Sequence, residues 1–463
     1  MHELTASVLR PPPAITAITE PISASKTVTS AIADFRQDIH AWIDDCTRRY
    51  SSVPPSEVHD QATFVCGWLP YLSGPRAAPC RQFIADLGRR VSSHYRQSGV
   101  WEHGYWILND AHHGPEHFIY YLAGMQQWGI DSNNVCELLT DCAEHITRKI
   151  DGSESWIDLE TGLFRALYFG TGCWLEHEHS KINIPDHLRF VSLALLAYDA
   201  SHHAVYKNWA VEYGRRWADE IARSRDIPVA LTPEGAIYTL PPRGRRHSRD
   251  IFHLLSSNLE SKLARAESFI ASDAVNVFLQ LWRLTDDPRF LLATETIIDA
   301  AIEDIASPDA AALVDLIRLY RLLTDSRRYD HHVLKLADFF SPWSFSEIGL
   351  TIPPVAADRA VGIGKRKDSV LWLEDGRARC HNPVHLAFVA DIKRDTKLAQ
   401  RALEISRAYF LAARRLLPDG RDDGCSGRTI SSVMRGHGRD NGTGVVNAVL
   451  LPLEKSFRSE LTI

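Results

Sequence analysis

The chain has 463 residues, 45% of them apolar and 24% charged, with a formal net charge of −6. That length allows one large core or two to three average domains, and the apolar fraction is ordinary for a soluble globular protein. The acidic balance excludes a general basic field for nucleic acid, and no window approaches 18 uninterrupted apolar residues, so no membrane span is expected.

Residues 1–28 are rich in Pro, Ser, Thr and Ala and contain Pro11-Pro12-Pro13, so they are expected to form an extended or disordered arm. They hold no basic segment followed by an apolar run, which argues against a signal peptide and makes a cytoplasmic location the expectation. The eight cysteines form no C-x-x-C and no zinc-finger spacing, a pattern that fits reduced, mostly buried thiols. From Val28 helical periodicity takes over. Ile32, Phe35, Ile39 and Trp42 recur at i, i+3, i+7 and i+10, one apolar stripe on one helix face.

The stretch "NDAHHGPEHFIYY", Asn109 to Tyr121, concentrates three histidines, two carboxylates, an amide and two tyrosines. Pro115 suits the first position of a helix, and Phe118, Tyr121, Leu122 and Met125 follow at helical spacing. Asn109, Asp110, His112 and His113 would then sit just ahead of a helix N-terminus, where backbone N–H groups and the dipole favour an anion. Histidine exchanges protons near neutral pH, tyrosine can donate or accept one, and asparagine can hold a carboxylate or oxyanion. The competing reading is a polar capping network around the helix start.

A second segment, "LYFGTGCWLEHEHSKINIPDH", spans residues 167 to 187. On an extended backbone His177 and His179 point the same way, either as two ligands of a divalent metal or as an acid–base pair with Glu176 and Glu178. No other cofactor is called for. Asp186, after Pro185, is expected to cap the next helix.

Four later segments read as variants of one unit: an apolar helix, a short polar turn and a second amphipathic helix. They begin at Leu195, Leu279, Ile317 and Leu386, and the step from Phe290 to Tyr329 is 39 residues, about one helical hairpin. Such units bury their apolar faces only against neighbours. Tight turns ("TDDP", "TDSR") lie at one end, while long connections around 98–114, 151–184, 226–262, 341–380 and 418–444 lie at the other. Convergence of those connections on one rim favours a closed ring over an open solenoid. The expectation is an all-α fold, an (α/α) toroid of six hairpins, complete or incomplete, with residues 29–463 as a single domain. "PVALTPEGAIYTLPP" adds a small β-hairpin around Pro233-Glu234-Gly235.

Three more groups belong to that rim. In "MRGHGRDNGTG", glycines bracket Arg435, His437, Arg439, Asp440 and Asn441; the arginines can pair with a carboxylate or phosphate, or the loop is simply a tight turn. The spacing is not a dinucleotide fingerprint. "RCHNPVHL" sets Cys380 and His381 ahead of a helix, and "PPRGRRHSRD" is either a solvated basic loop or an anion-collecting lid.

The run "NDAHHGPEHFIYYLAG", with the helical repeats, resembles the (α/α)-toroid polysaccharide lyases of the alginate-lyase and heparinase type. Those enzymes carry Asn and His where an inner helix begins. The resemblance implies β-eliminative cleavage of a uronate saccharide, with Asn109 neutralising the carboxylate, His113 as base and Tyr168 or Tyr120 as acid. Here Asp-Ala separates Asn109 from His112, and Gly114-Pro115 precedes the helix, which departs from the family's pattern. The expected catalytic set is His113, Tyr168, His437, His112 and Glu116. Substrate contacts are expected from Asn109, Asp110, His117, Trp106, Trp174, His177, Arg435, Arg439, Asn441 and His381, with an anionic oligosaccharide as partner.

Other readings share the ring. An inverting glycosidase of the unsaturated-uronyl hydrolase type would use Asp110, Asp440 or Glu178 on a water. A sugar epimerase would use a histidine pair. A terpenoid dehydratase or cyclase would use Trp101, Trp106, Trp156 and Trp174 around a cation. Cys380-His381 raises a lanthionine-cyclase-like zinc site. A non-catalytic helical-repeat scaffold is the remaining class.

Overall fold

The structure is a computed structural model. It describes residues 27–56, 61–107, 109–115, 121–147, 156–158, 160–170, 173–174, 181–224, 226–239, 262–305, 311–336, 344–345, 351–352, 381–416, 422, 430–438 and 442–457. Residues 1–26 of the expected N-terminal arm, Glu116, His117, Tyr120, Glu176, His177, Glu178, His179, Cys380, Arg439, Asp440, Asn441 and the basic run 243–249 lie outside these residues, and Val28, the last residue of that arm, already opens a helix.

The described residues are mostly helical. Helix α1 (Val28–Tyr50) starts at Thr27, whose hydroxyl accepts the Ser30 N–H at 3.2 Å, and buries Ile32, Phe35, Ile39 and Trp42 as the periodicity predicts. After α2 (Phe64–Trp68) and α3 (Ala77–Ser98) the chain makes a hairpin, β1 (Trp101–Glu102) with β2 (Tyr105–Trp106), then β3 (Asn109–Asp110). Next come α4 (Ala123–Gln127), α5 (Ser132–Thr147), β4 (Tyr168–Gly170) and β5 (Cys173–Trp174); β3, β4 and β5 form a three-stranded antiparallel sheet. The expected turn around Pro233–Gly235 is present, with the Gly235 N–H bonded to the Thr232 carbonyl and Leu231 bridged to Ile237.

The helical hairpins follow. α6 (Leu188–Ser201) pairs with α7 (Ala204–Ser224); α8 (Lys262–Ala271) precedes α9 (Ala274–Thr285), which pairs with α10 (Pro288–Ala301). α11 (Ala311–Thr324) leads into α12 (Asp330–Leu334), and the short pair β6 (Ser344–Phe345) and β7 (Thr351–Ile352) comes before α13 (His381–Lys393) and α14 (Thr396–Leu416). The chain ends with α15 (Ile430–Arg435), the pair β8 (Gly436–Gly438) and β9 (Gly442–Thr443), and α16 (Asn447–Phe457).

The turns that close these hairpins repeat one stereochemistry. His202, Asp286, Asp325 and Arg394 each stand just past a first helix with φ between +54° and +60°. A left-handed residue there releases the chain from the helix and aims it back along the next one. Ser201, Thr285 and Thr324 each donate their hydroxyl to the carbonyl four residues earlier at 2.7 Å. Each also accepts the N–H two residues later at 3.2 Å. Glycine allows close packing behind the turns. At Gly214 on α7 a Cβ would overlap Leu281 and lie 3.3 Å from Phe290, so α7 approaches α9 and α10 at backbone distance.

Packing runs along the sequence: α4 on α5, α5 on α6, α6 on α7, α7 on α10, α8 on α11, α11 on α13 and α13 on α14. The last helices then meet the first. Phe410 of α14 touches Phe35 and Trp42 at ring-centroid distances of 6.0 Å, and Arg407 donates to Asp38 at 2.6 Å. Glu454 of α16 pairs with Arg36 at 2.7 Å, and the buried Asp422 carboxylate takes bonds from Trp42 at 2.7 Å and Tyr50 at 3.0 Å. One continuous apolar core links these helices.

Candidate acid–base site

The opposite end of α6 from its Ser201 turn lies about 21 Å away, at 1.5 Å per residue over 14 residues. Here the sheet and α6 bring together groups far apart in the chain. β3 pairs with β4 so that Asn109 faces Phe169 and Asp110 faces Tyr168, and the Ala111 N–H reaches the Leu167 carbonyl at 3.0 Å. Asn109 and Asp110 are therefore strand residues. Pairing with a segment nearly sixty positions later extends the backbone there, an effect invisible to local periodicity, while the helix start expected after Pro115 falls on residues 116–120, outside the described residues.

Beyond the strand the chain folds into a tight turn built on Asp110. Its buried carboxylate accepts the His112 N–H at 3.0 Å and the His113 N–H at 2.8 Å, while its carbonyl accepts the Gly114 N–H at 2.8 Å. This is an Asx turn, in which a short acidic side chain satisfies two backbone donors. The same carboxylate faces the His113 ring, with Nδ1 3.1 Å from Oδ1. His112 turns the other way and meets Asp186, Nδ1 to Oδ1, at 2.7 Å. The two imidazoles stand edge to face with centroids 4.7 Å apart. Each thus has its own carboxylate, a pairing that fixes ring orientation.

Asp186 belongs to a 3₁₀ turn, Pro185–His187, immediately before α6. The sequence reading made it a helix cap. Its carboxylate instead joins His112 and the nearly fully buried Arg189, whose Nε lies 3.5 Å away. Arg189 also donates to the His112 carbonyl at 2.6 Å, tying the turn to α6. Burial alone would push the Asp186 carboxyl up, but the charge and hydrogen bond of His112, with Arg189 behind, hold it below the ordinary carboxylate range. The next residue behaves oppositely. Burial pulls His187 down to about 4, and the ring accepts the Ile184 N–H on Nδ1 at 3.0 Å while Nε2 donates to the Ala166 carbonyl at 3.2 Å, the pattern of a neutral, structural imidazole.

Asp273, at the start of α9, lies on the same side. It accepts a bond from Ser192 of α6 at 3.1 Å, and burial raises its carboxyl against that bond and the one from Asn276. Asp186, Arg189 and Asp273 were not singled out as site residues from the sequence. The available signal was the pair Asp186 and Arg189 at i, i+3, opening an otherwise apolar helix, since such charges rarely enter a core without a partner.

Accessibility separates the pairs' two halves. The His112 and His113 side chains keep 18% and 24% of their surface, against 12% for Asp186 and 7% for Asp110. The carboxylates are built in and the rings face outward, an arrangement a purely internal capping network does not need. Behind them Trp106 is buried with its ring 4.9 Å from that of Tyr95, and its backbone N–H donates to the Gly114 carbonyl at 3.2 Å. Trp106 thus packs in the wall behind the histidine turn.

The remaining expected site residues are placed by backbone alone. Tyr168 on β4 is the strand partner of Asp110, and Trp174 on β5 pairs with Phe169. His381 opens α13, Arg435 ends α15, and His437 lies in β8. β8 packs against α8, and α8 also packs against the Asp186 turn. Among the described residues no helix is long and apolar enough to cross a membrane. Compared with protein families, curated proteins and solved structures, the chain matches none of them.

Proposed function

We propose that the hairpins close into an (α/α) ring and that the paired histidines at one end form the acid–base centre of an enzyme cleaving a uronate-containing saccharide by β-elimination. The observation that carries the reading is the adjacency of His112 and His113, each backed by a buried carboxylate and each open to solvent. The packing of α1 on α14 and α16 supports closure, since an open array leaves its first and last units apart.

In this reaction His113, oriented by Asp110, takes the proton from C5. The C5–H electron pair becomes the C4–C5 double bond, the C4–O bond breaks, and the departing oxygen takes a proton from His112. The Asp186 carboxylate, 2.7 Å from Nδ1, orients the His112 ring for that transfer. Asn109, Arg435 and Arg439 are the candidate neutralisers of the uronate carboxylate, without which the C5 proton is too weakly acidic at neutral pH. Tyr168 is the alternative acid. Asp110 is less suited to the hydrolytic role of activating a water, because two backbone N–H groups and His113 already occupy its oxygens.

The test is incubation of the full chain with a panel of uronate oligosaccharides, read by ultraviolet absorbance of the conjugated product and by new reducing ends. Both signals together are expected. Reducing ends without the chromophore would replace elimination by hydrolysis, and neither signal on any substrate would remove the carbohydrate reading.

A further inference from the structure

A second cluster of proton-handling groups lies outside the site above, where the β1–β2 hairpin meets α5. We propose that His103, Asp141 and His145 form a binding site for a divalent transition metal of the zinc class, which clips this hairpin to α5.

The hairpin's two-residue turn is His103-Gly104, with φ of +48° and +90° between the paired residues Glu102 and Tyr105. Both residues have the left-handed backbone that matches strand twist in a two-residue hairpin. Tyr105 anchors the hairpin by donating its hydroxyl to the Cys142 carbonyl at 2.7 Å. Asp141 and His145 are one helical turn apart, at i and i+4, and so project from one face of α5. His103 Nδ1 lies 2.8 Å from Asp141 Oδ1, and His145 Nδ1 lies 3.8 Å from the same oxygen. One potential ligand atom from each of the three residues falls within 4.8 Å of the other two.

Hydrogen bonding alone leaves this cluster underused. The two imidazoles stack at 3.5 Å between centroids with planes 16° apart, and both face one carboxylate oxygen. Only the closer ring is within hydrogen-bond reach of that oxygen. The Nε2 of His145 is buried with no hydrogen-bond partner. Two imidazoles and a carboxylate are the donor set of open zinc sites, with a fourth position left for water, and nitrogen donors select against magnesium and calcium. Entry is open, because the His103 and Asp141 side chains keep 39% and 41% of their surface. Binding would turn the stacked rings apart so that one nitrogen of each, with Asp141, points at the ion. The ligands come from two elements, so the ion would fasten the hairpin that carries Trp106, and through the Trp106 N–H the turn that holds His112 and His113.

The test is zinc titration of the chelator-treated full chain by calorimetry, alongside thermal denaturation with zinc, with magnesium and without metal. One equivalent of zinc that raises the melting temperature, with no effect of magnesium, is expected. His103→Gly and Asp141→Asn should each weaken that equivalent at least about tenfold. His103 has a left-handed backbone at a hairpin tip, which glycine adopts without strain, so His103→Gly should leave the metal-free melting temperature near wild type and keep the test valid if His145→Ala fails to fold. Absence of zinc binding in the wild-type chain would overturn the proposal. So would binding, at any other cysteines or histidines, that both variants retain in full.

Discussion

The two ends of the helical hairpins are built by different rules. At the turn end, Ser201, Thr285 and Thr324 repeat the same pair of hydroxyl bonds, and His202, Asp286 and Asp325 repeat the same left-handed exit. The bonds that shape each turn are local, within four residues, and ion pairs such as Asp287 with Arg215 and Arg289 with Asp219 then tie the turns to the neighbouring helix. At the other end of α6, His112 meets Asp186 across 74 positions and Arg189 meets the His112 carbonyl across 77. Nothing at that end repeats. A scaffold that reuses one local turn at one end leaves the connections at the other end free to vary, and loops of that kind are where functional groups commonly gather.

Substitutions sharpen the contrast. The largest stability effect is expected at the loop end. Asp186→Ala removes a carboxylate shared by His112 and the buried Arg189, and breaking a buried pair costs about 3–5 kcal/mol. Urea denaturation should register that loss; a change under about 1 kcal/mol would mean the pair is not load-sharing in the way a buried ion pair is.

Acid should act on the same end. Unfolded His187 takes its proton near 6.5, whereas the folded ring resists until about 4, so protons favour the unfolded chain across that interval. The contribution is complete above 6.5 and falls by about 3 kcal/mol as pH drops to 4. The depressed Asp186 has the same sign, its contribution being lost only below the ordinary carboxylate range. Denaturation midpoints measured between these pH values should decline, and His187→Gln should flatten the decline. A slope unchanged by that substitution would transfer the effect to another group.

The smallest effect belongs to the turn end. Thr285→Val and Thr324→Val each delete one hydroxyl that makes two local bonds, worth about 1 kcal/mol. Neither should alter turnover. A large loss of activity from either variant would erase the division between the two ends.

The same division governs what was legible in the sequence. The α1 stripe of Ile32, Phe35, Ile39 and Trp42, the hairpin repeats and the turn at Pro233–Gly235 all rest on spacings of a few residues, and each is present as read. The site was half legible. The density of histidine and aspartate in 109–113 marked the right segment, and Asp110, His112 and His113 do stand together. The partner of His112 was not found, because Asp186 after Pro185 satisfies every local rule for a cap. Only the tertiary approach of α6 to the histidine turn gives its carboxylate a different occupation. The pairing of Asn109 with Phe169 is likewise nonlocal and leaves no trace in local periodicity. Asp141 and His145 carried a readable i, i+4 spacing, but His103 joins them only through the hairpin.

The account turns on His113 being a proton carrier and not a brace for its own turn. The decisive measurement is turnover of a uronate oligosaccharide by His113→Ala, paired with its urea denaturation midpoint. The expected result is a loss of turnover of about 10²–10⁴-fold at a near-unchanged midpoint. Wild-type turnover by the variant, or collapse of its fold along with its activity, would contradict the claim.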